Sequence, residues 1–213
     1  MNTHALGVLH TLQTGEVVDN ADPDRRGRVK VRLHAAPIEM WASVVAPSAG
    51  RGYGASFVPR LQEVVVVGFI TPELPLVLGS IWTGHDSVPE ESDPQEAHYV
   101  VRTPSSTVME FDDDDGPKFH VQTRSGYRVT ITEGGGGAIE IERGGQSVKL
   151  TASEVQIVSS GTVKVEASNV TVSAGMLKVD AGMSKFSGVV QADTVIANAV
   201  VSSSYTPGAG NIW

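Results

Sequence analysis

"SVKLTASEVQIVSSGTVKVEASNVTVSAGMLKVDAG", residues Ser147–Gly182, decides how the chain folds. Its apolar residues come in pairs that flank one polar residue: Val148 and Leu150, Val155 and Ile157, Val163 and Val165, Val170 and Val172, Leu177 and Val179. The pairs recur every seven or eight positions. A strand alternates its faces, so the outer two residues of each pair face one way and the middle residue the other. The middle residues are Lys149, Gln156, Lys164, Thr171 and Lys178, all polar. Each strand therefore buries two side chains before the chain turns at Ser, Ala, Gly or Asn, as in "SSG", "ASN" and "SAG". A prism with one pair on each flat face satisfies that pattern. Two prisms share the period: one chain coiled on itself, or three chains wound together. A self-coiled solenoid uses about three pairs per rung and needs several rungs and a cap. The pairs here would make a short, poorly buried solenoid, so the residues favour three chains. At about 4.8 Å per strand the stalk is roughly 35 Å long.

Composition changes near the middle of the chain. Ten of the eleven prolines lie at or before Pro117, and the eleventh is Pro207. Between Tyr127 and Tyr205 the single aromatic residue is Phe186. Proline is excluded where every N–H enters a ladder, and large rings are excluded from a narrow interior. The first part reads differently. "GRVKVRL" (Gly27–Leu33) alternates as a half-buried strand, "MWASVVAP" and "EVVVVGFI" are denser apolar runs, and "LPLVLGSIW" closes a small β-barrel. "HDSVPEESDPQEAH" (His85–His98) is an acidic, proline-bearing linker. Beyond it, Met109/Phe111, Phe119/Val121, Val129/Ile131 and Ile139/Ile141 are apolar pairs separated by turns at Asp115-Gly116, Ser125-Gly126, Gly134–Gly137 and Gly144-Gly145.

Bulk numbers exclude several classes of function. A formal charge of −8 opposes general nucleic-acid binding. The chain has no cysteine, so disulfides and thiolate metal sites are absent. The first residues do not form a signal peptide, and no apolar run is long enough to span a bilayer, so synthesis in the cytoplasm without a signal peptide is expected. The run Asp112–Asp115 lacks the alternating ligands and distant glutamate of a calcium loop and reads as a solvated turn. No metal, cofactor or catalytic residue is assigned, and the chain is expected not to be an enzyme. "SSSYTPGAGNIW" ends the repeat, and Tyr205, Pro207, Asn211, Ile212 and Trp213 read as a tip segment: a plug for the prism or a platform for a further protein.

"GEVVDNADPDRRGRVKVRL", "WASVVAPSAGRGYGASFVPRLQEVVVVGF" and "PLVLGSIW" closely resemble the OB-fold of the VgrG and phage central-spike family, in its short baseplate assembly protein V branch. The resemblance rests on Asp22-Pro23, Gly27–Val31, Trp41, Gly50 to Gly54, Phe57-x-Pro59, Glu63–Val67 and Leu78-Gly79-Ser80, with "MEFDDDDG" and "RSGYRVTI" resembling the first strands after the OB-fold. It implies an all-β chain in which an OB-fold barrel precedes an intertwined trimeric β-helix stalk. The expected divisions are an arm (1–13), the OB-fold (14–84), an acidic linker (85–104), transitional hairpins (105–146), the triple-stranded β-helix (147–204) and the tip (205–213). The family's role would make it the structural spike of a contractile injection system, in a virion tail baseplate or an extracellular phage-tail-like particle. The expected partners are two further copies in a homotrimer, a separate hub protein at the OB-fold end, a PAAR-type tip protein at the other end and the target cell envelope. No nucleic acid is expected. Spikes of T-even phages insert a lysozyme domain where this chain has the linker, and some Mu-like spikes bind iron through His-x-His; no histidine follows His120 here. A trimeric tail fibre or adhesin stalk, and an OB-fold that binds carbohydrate or single-stranded nucleic acid, are the alternative functions.

Overall fold

The computed structural model describes residues 12–85, 87–92, 96–114 and 118–204. The fold is all-β, and the chain divides into two units between Val163 and Lys164. The first unit begins with strands β1 (Gln13–Asp19), β2 (Arg28–Leu33), β3 (Glu39–Val44), β4 (Ala49–Gly50), β5 (Tyr53–Gly54), β6 (Val64–Thr71) and β7 (Leu74–Ile81). Five of these close a barrel in the order β1-β2-β3-β7-β6, with β6 returning to β1. All neighbours are antiparallel except β3 and β7, which run parallel. That order, with one parallel pair, is the OB-fold expected from the sequence.

Alternation fills the barrel. In β2, Val29, Val31 and Leu33 point inward while Arg28, Lys30 and Arg32 face out. Val17, Ala42, Val65, Val67 and Val77 complete a core of small β-branched and aliphatic side chains, as a narrow five-stranded interior requires. Where β1 crosses β2 the backbones come close: a Cβ on Gly15 would lie 2.5 Å from Val31 Cγ1 and 2.7 Å from the Arg32 carbonyl oxygen. Glycine is required at that crossing.

The β1–β2 loop is organised by one carboxylate. Asp22 accepts from Arg28 Nη2 at 2.8 Å and Nε at 3.2 Å, and from the backbone N–H groups of Arg26, Arg28 and Asp24. The Arg28 guanidinium, whose centre lies 5.7 Å from the Trp41 ring, is thereby fixed over β3. The Arg28 side chain first, and those backbone donors after it, hold the Asp22 carboxyl well below the usual carboxylate range. A depressed carboxylate stabilises the fold above its unfolded pKa and loses that contribution as pH falls through the folded value. Asp22→Asn is therefore expected to melt at a lower temperature than wild type at neutral pH. Thermal scans should show the difference shrinking toward the acid limit; a difference independent of pH would contradict this role.

After the barrel, the 3-10 turn Glu90–Ser92 precedes a seven-stranded antiparallel meander. Its strands are β8 (His98–Arg102), β9 (Val108–Asp112), β10 (Lys118–Gln122), β11 (Arg128–Thr132), β12 (Ala138–Arg143), β13 (Gln146–Thr151) and β14 (Val155–Val158). Two hairpins at one edge turn by the same chemistry. In Thr103–Thr107 and in Thr123–Tyr127 the threonine hydroxyl accepts the N–H four residues on, at 3.1 and 3.2 Å. Positive φ at Ser106 and Gly126 completes each turn.

This sheet corrects three expectations. Strand pairing starts at His98, inside the stretch read as linker. It continues through β13 and β14, whose neighbours belong to the same chain, so no break in pairing falls between 146 and 147. Asp112, read as part of a solvated turn, is a buried residue of β9 bonded by the Lys118 ammonium. The second unit, from Lys164, forms no helix and no strand among its described residues. In the described residues no helix is long and apolar enough to cross a membrane.

Candidate functional site: an apolar assembly face

The meander is inside out for a lone chain. One face of each strand carries two large apolar residues, and the strand register aligns them into two rows. The first row runs Tyr99, Phe111, Phe119, Ile131, Ile139, Leu150 and Val155. The second runs Val101, Met109, Val121, Val129, Ile141, Val148 and Ile157. Every member is a direct cross-strand partner of the next. Turn chemistry produces this alignment: each hairpin returns the chain without a register shift, so the period-2 pattern of one strand lands on that of its neighbour.

The rows are open to solvent. Tyr99, Phe111, Ile141, Val155 and Ile157 are all exposed, Ile157 to 60%. On β9 the polar face is the better covered one: Val108 and Asp112 are buried while Met109 and Phe111 on the other face are exposed. A monomeric sheet hides the opposite face, and a contiguous apolar surface of this extent marks a contact. The rows also taper. Rings occupy the β8–β10 end of the first row, with Phe111 and Phe119 centroids 5.1 Å apart, and aliphatic chains occupy the rest.

The other face is a charge ladder. Glu140 is bonded by Lys149 and raises its pKa, Glu142 pairs with Arg128, and Asp112 pairs with Lys118. This face keeps water and fixes which side of the sheet can be covered.

The residues expected to line the stalk fall into two groups. Val148, Leu150, Val155 and Ile157 are brought together as cross-strand pairs at the far end of the two rows. Val163, Val165, Val170, Val172, Leu177 and Val179 are exposed and enter no ladder within the chain. Val189, Ile196 and Val201 in the second unit are more than nine-tenths exposed. The tip residues Tyr205, Pro207, Asn211, Ile212 and Trp213 lie outside the described residues. Sequence reading missed Tyr99 and Val101, the first members of both rows; the alternation in "HYVVR" was the available signal, hidden by the acidic residues before it.

The barrel has a surface feature of its own. The β4–β5 hairpin folds the Tyr53 ring across Gly50, where a Cβ would lie 2.2 Å from the ring. Tyr53 and Phe57 stand beside an open cleft of about 390 Å³ with Arg26, Val45 and Val58.

Comparison with known proteins agrees with this barrel. Residues 13–82 match the type VI secretion system/phage-baseplate injector OB domain. The type VI secretion system spike protein VgrG4b of Pseudomonas aeruginosa is 31% identical over 110 residues, covering 47% of this chain and 14% of that protein. VgrG5 of the same organism is 32% identical over 109 residues, with the same coverage of 47% and 14%. The chain thus spans about one seventh of the length of the curated relatives it matches. The barrel, residues 13–82, is thus similar to the injector OB domain of type VI secretion systems and phage baseplates, and the matched stretch is similar to VgrG spike proteins.

Proposed function

We propose that this chain is the structural central spike of a contractile injection system, built as a homotrimer in which three copies close their apolar faces on one axis. The observation that carries this reading is the pair of aligned apolar rows, exposed in one chain and bounded by a charged opposite face. Three such faces meeting edge to edge form a triangular prism with a dry interior and a solvated exterior. The exposed pairs from Val163 to Val179 extend the same interior into an intertwined β-helix, where the ladder each chain lacks is supplied by its two neighbours. That arrangement leaves no free lateral edge.

The barrel end attaches under a separate hub protein, and the tip segment Tyr205–Trp213 carries a PAAR-type protein. The shaft punctures the target envelope by mechanical work, since its outward face is polar and has no affinity for lipid. Pairs such as Lys164–Glu166 and Lys178–Asp180, each 2.7 Å apart, suit that outward face. No catalytic step is assigned to the chain; its work is to transmit force. In this reading the protein resides in a tail baseplate or phage-tail-like particle. The decisive measurement is mass in solution by light scattering. The expected value is three times the 22.4 kDa chain mass, and a single-chain mass would end the proposal.

A further inference from the structure

The charged face of the sheet holds a cluster that assembly does not use. His98 and Asp112 are direct partners across β8 and β9, and Glu110 lies two residues from Asp112 on the same face. Among the described residues these form the one group of three His, Asp or Glu side chains whose donor atoms all lie within 4.8 Å. The three side chains are no more than 14% exposed. His98 Nδ1 lies 2.9 Å from the Glu91 carbonyl oxygen in the 3-10 turn and 3.0 Å from Glu110 Oε1. On the other side of the ring, Nε2 lies 3.4 Å from Asp112 Oδ1, and the Lys118 ammonium bonds Asp112. The Glu91 carboxylate is bonded by Arg102, yet its Oε2 is buried without a hydrogen-bond partner.

Two oxygens thus converge on one ring nitrogen. A single N–H is directional and serves one acceptor well, not two. A zinc ion about 2.1 Å from each ligand in tetrahedral geometry would hold adjacent ligand atoms about 3.4 Å apart, so the 2.9 and 3.0 Å contacts around Nδ1 need open by only a few tenths of an ångström to admit one. The remaining contacts complete the pattern of a metal-bound imidazole. Nε2–H then donates toward a carboxylate that orients the ring, and Lys118 neutralises that carboxylate, leaving Glu110 as the one anionic ligand. Imidazole nitrogen with carboxylate and carbonyl oxygen suits first-row divalent ions of the zinc type better than calcium or magnesium.

We propose that His98 Nδ1, Glu110 and the Glu91 carbonyl oxygen bind a divalent transition-metal ion that tacks the linker turn onto the sheet. The site is formed within one chain and stands apart from the assembly proposal. The competing occupant is a proton on a doubly paired imidazolium. Equilibrium dialysis of the full chain against micromolar Zn2+ separates the two. One Zn2+ per chain is expected, with affinity falling ~10-fold or more in Asp112→Asn and lost in His98→Gln and Glu110→Gln, while His120→Gln binds as wild type does. Zn2+ should also raise the melting temperature of wild type and not of Glu110→Gln. Absence of Zn2+ binding by the wild type would overturn the site, as would equal binding by Glu110→Gln, whatever the folding of the His98 variant.

Discussion

Ile141→Asp is expected to convert the proposed trimer into single chains. Ile141 sits in the second row on β12, flanked by Val129 and Val148, and is half exposed in one chain. A carboxylate there meets water in the monomer and costs that chain little. In the closed prism, three carboxylates meet near one axis. At ~8 Å separation and an effective dielectric of ~20, each pair repels by about 2 kcal/mol, before several kcal/mol of desolvation per ion. The combined penalty rivals the free energy of many assemblies. Gln156→Asp, on the opposite face of the same sheet, serves as the control and should remain trimeric. Light scattering reads both directly. Retention of the wild-type mass by Ile141→Asp would show that the rows do not face one another.

Val31→Asp acts on the other half of the protein and should prevent the barrel from folding. Val31 is fully buried, packs where Gly15 allows β1 to approach, and lies among Val17, Val29, Val65 and Val67. The described residues of the core cluster around Val31 are all apolar. An unpaired buried charge costs several kcal/mol, against a total stability of about 5–15 kcal/mol for a domain of this kind. Trp41, half-buried on β3, reports the outcome through its fluorescence, which should shift to the red at neutral pH, whereas Trp82 is already exposed. A cooperative transition at the wild-type temperature would contradict the packing described.

The barrel was legible in the sequence because each of its strands hides one face from water within its own chain. "GRVKVRL" has a single solution in which Val29, Val31 and Leu33 are dry, and the structure adopts it. The apolar pairs were legible for the same reason of period. Their pairing partners were not, because the period is identical whether a strand's neighbour comes from its own chain or from another. β13 and β14 take their neighbours locally, where Gly144-Gly145 and Thr151 close tight hairpins. Beyond Val158 no such closure occurs in the described residues. The His98 cluster was hidden for a different reason. Glu91 precedes His98 by seven residues in a turn that reads as linker, Glu110 follows it by twelve, and Asp112 sits in an aspartate run that reads as surface; strand register brings the last two to His98.

The in-register hairpins of the meander carry one more consequence. Because both rows continue without a register shift, excising or duplicating one hairpin would leave every remaining strand in register, with apolar residues still facing apolar residues at the junction. The length of this module is therefore free to change by whole hairpins, in steps of about 9.6 Å. A lineage could adjust the length of the module by counting strands, with no residue of the barrel altered.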